Sequence, residues 1–144
     1  MNIGIDVHGV IDLYPSAFKI ITANLVKDFH NVHIITGQEW EKIKPMIDDL
    51  GIQYTHHFSI VDYHRNKGTK MWKDKKGTFW IDEMEWVRSK GDYIHRESID
   101  IHFDDTWEYA NFISNTCTFI LVPKKNFHAF QFMSHFFNFV FDSH

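Results

Sequence analysis

Three acidic residues and a threonine stand where short apolar runs of this chain end. Asn2-Ile3-Gly4-Ile5 leads into Asp6, Val32-His33-Ile34-Ile35 into Thr36, and the alternating Ile99-Asp100-Ile101-His102-Phe103 into Asp104-Asp105. Gly9 follows Asp6 by three residues and lets the backbone turn back towards that acid. A carboxylate at the end of a buried strand loses hydration, and chemistry or a bound metal is the usual justification. In an open α/β sheet, ligands gather at the carboxyl ends of the strands, where the strand order reverses. Three strands ending in polar side chains therefore predict one site along one edge of a sheet.

The intervening segments must supply that sheet. Pro15 suits the first turn of a helix, where its missing N–H would go unpaired anyway. Phe18, Ile21, Leu25 and Phe29 then share one face of a helix reaching to about residue 29. A second helix is expected over 39–50 on Trp40, Ile43, Met46, Ile47 and Leu50, closed by Gly51. Pro45 predicts that it starts late or kinks. A third strand is expected at about 53–60. Residues 61–88 lose periodicity, and turn residues alternate with Tyr63, Trp72, Phe79, Trp80 and Trp86. This reads as an aromatic-rich insertion without a clear helix, of the kind that carries function, with a small hairpin over 71–81. Ser89 with Asp92 predicts the start of a short helix over 90–97. Past the fourth strand come a helix over 107–114, a strand over 116–122 and, after Pro123, a Phe-rich helix over 127–141. Five strands separated mainly by helices predict an α/β, three-layer Rossmann-like fold: a parallel five-stranded sheet with helices on both faces and right-handed crossovers.

Composition narrows the class. The 144 residues are 44% hydrophobic and 24% charged with 7 Gly and 3 Pro, which predicts a single domain over 1–144 with the insertion inside it. A net charge of −4, with 15 Lys plus Arg spread along the chain, excludes a broad nucleic-acid surface. The lone Cys117 excludes an internal disulfide and fits a reducing cytoplasm, with plain packing as its role. No apolar run reaches the roughly 18 residues that span a membrane, and the start of the chain does not read as a signal sequence. The expectation is a soluble cytoplasmic protein. Aromatic content of 17% exceeds what a core of this size requires, so some rings are expected to face a ligand or partner.

The order of these motifs resembles the haloacid dehalogenase (HAD) superfamily of phosphotransferases. Its first motif, an apolar strand followed by Asp-x-Asp-Gly-x, is matched by Asp6-Val7-His8-Gly9-Val10. The second, a strand ending in Ser or Thr, is matched by Val32 to Thr36 followed by Gly37. The third, a Lys near the start of the helix before the fourth strand, corresponds to Lys90. The fourth, a strand ending in paired acids, is matched by Ile99 to Asp105. The resemblance covers residues 1 to about 122 and implies a small HAD-like member with a short insertion in place of a large cap.

It further implies a Mg²⁺-dependent phosphatase acting through an aspartyl-phosphate. Asp6 would be the nucleophile. Asp6, the backbone carbonyl of His8, Asp104 and Asp105 would offer the hard oxygen ligands that Mg²⁺ prefers. Gly9, Thr36, Gly37 and Lys90 would hold the phosphate, with Lys90 also offsetting transition-state charge. The departure is His8, which stands where phosphatases of the family carry a second Asp as proton donor and base. An imidazole suits proton transfer at neutral pH, so the catalytic set is Asp6, His8 and Lys90. The expected substrate is a phosphorylated small molecule, with a nucleotide or nucleic-acid end favoured.

Two rival readings stand beside this one. A non-catalytic binding module would keep the pocket while His8 weakens turnover. A receiver-like phosphoacceptor would also use a strand-end Asp, but its acidic pair should precede the acceptor strand. His56, His57 and His64 read as coincidence rather than a transition-metal site, because neighbouring strand residues face opposite ways. His102 reads as a packed or half-buried side chain. Lys67, Lys70, Lys73, Lys75 and Lys76 read as a solvated turn, although one of them could hold a distal phosphate. Trp72, Trp80 and Trp86 read first as a satellite core and second as a stacking surface for a nucleobase.

Overall fold

A computed structural model of the protein describes residues 1–124. Five parallel strands form its main sheet: β1 (Asn2–Asp6), β2 (Asn31–Thr36), β3 (His56–Ser59), β6 (Ile101–Asp104) and β7 (Thr118–Leu121). They lie in the order β3-β2-β1-β6-β7. The chain therefore moves outward from β1 through β2 to β3, then crosses back to the other side of β1 for β6. That reversal beside β1 is the switch point at which Rossmann-like sheets bind ligands. Counted over these five strands the order is 3-2-1-4-5, whereas a receiver-like sheet runs 2-1-3-4-5, so the receiver-like reading falls on topology.

The sheet is covered on both faces. On one, Ile3, Ile5, Val32 and Ile34 pack with Phe18 of α1 (Pro15–Lys27) and with Trp40, Ile43 and Ile47 of α2 (Trp40–Asp49). On the other, Ile35 and Phe58 pack with Ile60 of α3 (Ile60–Lys67) and with Tyr93 and Ile94 of α4 (Glu83–Arg96). Cys117 belongs to this second cluster, and burial pushes its thiol up to about 11, as expected of a packing residue. The result is a three-layer α/β structure. Among the described residues no helix is long and apolar enough to cross a membrane.

Several boundaries differ from the sequence reading. Pro45 lies inside α2 without delaying its start at Trp40, and Gly51, at φ 69°, ends the helical segment as expected. The third strand is shorter than 53–60, because Ser59 caps a helix there: its Oγ accepts from the Asp62 N–H at 3.0 Å. The supposedly irregular insertion thus opens with α3. The expected hairpin is present as β4 (Trp72–Lys73) against β5 (Phe79–Trp80).

The larger correction concerns α4. Asp82, not Ser89, caps it, accepting from the Met84 and Glu85 N–H groups at 3.1 and 3.2 Å. Ser89 sits buried within the helix, its hydroxyl bonded back to the Glu85 carbonyl and to His64. Lys90 is therefore in the middle of a 14-residue helix rather than near the start of an eight-residue one. Residues 107–114 form a 3₁₀ turn over Trp107–Phe112 instead of an α-helix. The predicted helix over 127–141 lies outside the described residues.

Candidate active site

Register brings the acids together. Ile5 of β1 pairs with Phe103 of β6, which places Asp6 and Asp104 side by side as the two strands end. Side chains alternate along a strand, so Gly4 and Asp6 share a face with His102 and Asp104. Carboxylate oxygens of Asp6, Asp104 and Asp105 lie within 4.8 Å of one another. Among the described residues this is the one cluster of three potential metal-binding side chains.

Lys90 descends from α4 onto the same edge. Its Nζ donates to Asp104 Oδ2 at 2.7 Å and lies 3.5 Å from Asp6 Oδ1, with the whole side chain 2% exposed. Burial pulls the Lys90 ammonium down, but Asp6 and Asp104 overcome that and hold it above the usual lysine range. One lysine does not neutralise three acids. Burial, with help from the neighbouring Asp104 and Asp105 charges, raises Asp6 to about 7, although Lys90 and the Val7 N–H pull the other way. Asp104 is pushed up by burial yet ends below the ordinary range, because His102 and Lys90 both stabilise its charge.

The loop after β1 closes the site. Gly9 has φ 78°, and a β-carbon there would sit 2.1 Å from Asp105 Oδ2. Only glycine lets this loop turn while the backbone presses on the Asp105 carboxylate. Asp12 Oδ1 accepts from the Gly9 N–H at 2.7 Å and locks the turn. The His8 ring stands exposed, its Nδ1 3.2 Å from Asp12 Oδ2.

The other expected phosphate-binding residues lie at the end of the adjoining strand and just past it. Thr36 is fully buried at the end of β2, one residue past the Asp6–Ile35 pair, and its Oγ1 accepts from the Gln38 N–H at 3.2 Å. Gly37 lies beneath the Trp86 ring and helps line a cavity of about 220 Å³ that also includes Lys42 and Lys76. Lys67, Lys70, Lys73, Lys75 and Lys76 are all exposed, as a solvated turn requires.

Two participants escaped the sequence reading. His102 is fully buried, and its Nε2 lies 3.0 Å from Asp104 Oδ2, so it is a site residue and not mere packing. The two-residue spacing His102-x-Asp104 on one strand carried that signal. Tyr109, in the 3₁₀ turn, sets its ring 3.9 Å from Lys90 Nζ, a cation–π contact. That turn fits against α4 because Gly91 leaves room: a β-carbon there would lie 2.3 Å from the Phe112 carbonyl oxygen. No pattern in the chain announced Tyr109.

The histidines with no place in the site have ordinary partners. His56 stacks on His33, His57 stacks on Trp40, and His64 is buried between Thr69 and Ser89. The tryptophans divide. Trp86 packs against the second core cluster, whereas Trp72 and Trp80 are exposed, so the satellite-core reading holds for Trp86 alone. Comparison of the chain with protein-family models, with curated proteins and with solved structures finds no match.

Proposed function

We propose that the protein is a Mg²⁺-dependent, HAD-like phosphatase that cleaves phosphomonoesters through a phospho-Asp6 intermediate. The observation that carries this reading is Lys90, buried between Asp6 and Asp104 at the switch point of the sheet. A fixed cation between strand-end carboxylates suits a reaction whose substrate and nucleophile are both anionic.

The three carboxylates fit a hard cation, since their oxygens converge and one lysine leaves them with excess negative charge. Asp6, Asp104, Asp105 and the His8 carbonyl are the proposed ligands. Lys90 and His102 occupy Asp104 Oδ2 and the Thr106 N–H donates to Asp104 Oδ1 at 3.0 Å, so these bonds would hold the Asp104 carboxylate in place while Oδ1 and the Asp105 carboxylate served an ion. Bound there, Mg²⁺ would neutralise phosphate oxygens and orient the phosphoryl group.

The residues then divide the work. An Asp6 oxygen attacks phosphorus, the phosphorus–ester oxygen bond breaks, and the departing alkoxide takes a proton from His8. Water next attacks the phosphorus of phospho-Asp6 and gives its proton to His8. The bond between phosphorus and the Asp6 oxygen breaks and inorganic phosphate leaves. Asp12 holds His8 through Nδ1, so Nε2 is the nitrogen that exchanges protons. Lys90 offsets charge throughout.

Release of inorganic phosphate from β-glycerophosphate and a nucleotide panel, with and without Mg²⁺, tests the mechanism. Release should require Mg²⁺ and vanish in Asp6→Asn; full activity in that variant rules the intermediate out. The exposed His8 ring, turned to Asp12, favours the second reading of a binding protein with weakened turnover. An inert wild type with an active His8→Asp variant would establish that alternative.

A further inference from the structure

We propose that the aromatic cleft beside the acidic cluster binds a flat, nitrogenous ring bearing N–H donors, so that the phosphomonoester is an aminated nucleotide or a close chemical relative. This names a substrate for the phosphatase reading and rests on it. The cleft encloses about 610 Å³, within the usual range for small-molecule sites. Trp72 and Trp80 face each other across the β4–β5 hairpin and remain 52% and 42% exposed. Trp80 and Trp86 approach to 5.6 Å between ring centroids at 32°.

The polar ends of Trp80 and Trp86 are already engaged. The Trp80 indole donates to Asp74 Oδ2 at 3.0 Å, and the Trp86 indole donates to the Tyr109 hydroxyl at 3.0 Å. What the cleft offers a ligand is therefore held aromatic surface, which suits a planar π-system.

Charge sets the ligand's direction. Asp82, Glu83 and Glu108 line the cleft, and among the described residues no lysine or arginine does. A phosphate is repelled there, whereas exocyclic amines and ring N–H groups find acceptors. The wall shared with the acidic site is formed by Tyr109, which covers Lys90, and Thr106, which bonds both Asp104 and Asp105. A ligand with its ring among the tryptophans would have to carry its phosphate over the Tyr109 and Thr106 wall to reach the acidic cluster.

The full-length protein in Mg²⁺-free buffer is titrated with adenosine and with purine riboside, which lacks the exocyclic amine. Tryptophan fluorescence and calorimetry read the binding. Adenosine should quench the fluorescence and bind more tightly than purine riboside. Trp80→Ala should weaken adenosine by about 5- to 150-fold, with most of the loss restored in Trp80→Phe. Glu83→Gln with Glu108→Gln should narrow the preference for the amine. Absence of binding at millimolar adenosine, or unchanged affinity in Trp80→Ala, overturns the proposal. Phosphate release from ring-free β-glycerophosphate is measured in parallel. Release without adenosine binding removes the ring site alone, and binding without any phosphatase activity removes the catalytic reading instead.

Discussion

Replacing Asp6 by Asn should stabilise the metal-free protein while abolishing the proposed phosphate release. Asp6 is 8% exposed, shares its surroundings with Asp104 and Asp105, and is raised from 3.8 to about 7, chiefly by burial. A carboxyl raised in the folded state favours folding at low pH, and that advantage is lost as pH rises through the folded value. Above pH 7 the shift corresponds to roughly 4 kcal/mol against the fold. At pH 5 it corresponds to about 1.6 kcal/mol, since the unfolded carboxyl is mostly ionised while the folded one keeps its proton. Asn can still accept the Val7 N–H and leaves Lys90 paired one-to-one with Asp104. Urea unfolding of wild type and Asp6→Asn in EDTA, at pH 5 and pH 8, reads the difference. The variant's advantage should grow by about 2–3 kcal/mol between those values. Saturating Mg²⁺ should shrink it at pH 8 by stabilising wild type alone. An advantage that is the same at both pH values, or a wild type more stable than Asp6→Asn at pH 8 in EDTA, would refute the reasoning.

Lys90→Met should cost about 3–5 kcal/mol in urea unfolding at pH 8, because it strands buried carboxylates, and should slow phosphate release by at least about 100-fold. Lys90→Arg should not restore release, since a planar guanidinium does not reproduce a buried ammonium held between two carboxylates. Gly9→Ala should destabilise by more than about 2 kcal/mol, combining a left-handed backbone with a β-carbon against Asp105; calorimetric Mg²⁺ titration should show weakened binding as well. His33 is lowered to about 4 by burial and by the neighbouring His56, so the fold holds it neutral while the unfolded chain protonates it near 6.5. Its contribution is full above pH 6.5 and falls towards pH 4 by at most about 3 kcal/mol. His33→Gln should flatten the unfolding free energy over that interval; an unchanged slope removes His33 as the cause.

The sequence by itself determined the sheet and the polar residues that end its strands. Asp6, Thr36 and Asp104 end runs of β-branched and apolar residues, and such runs become buried parallel strands wherever helices can cover them. Their polar ends then share one edge, because parallel strands all end on the same side. Local rules erred where two caps competed. Ser89 and Asp82 are both competent N-caps, and the choice fell to Asp82 because α4 buries its apolar face from Trp86 onward. Likewise Ser59 began a helix where a continuing strand was expected.

Tertiary structure alone decided which groups touch. Lys90 meets Asp6 and Asp104 across 84 and 14 positions of chain, and nothing in its neighbours fixes that depth. Tyr109 reaches Lys90 only because a 3₁₀ turn settles against Gly91. The exposure of Trp72 and Trp80 depends on how a two-stranded hairpin sits over α4, which periodicity does not record. Short-range patterns specify a strand and its face through backbone geometry. Ion pairs and clefts arise from packing between elements distant in sequence, so they become visible when the chain is folded.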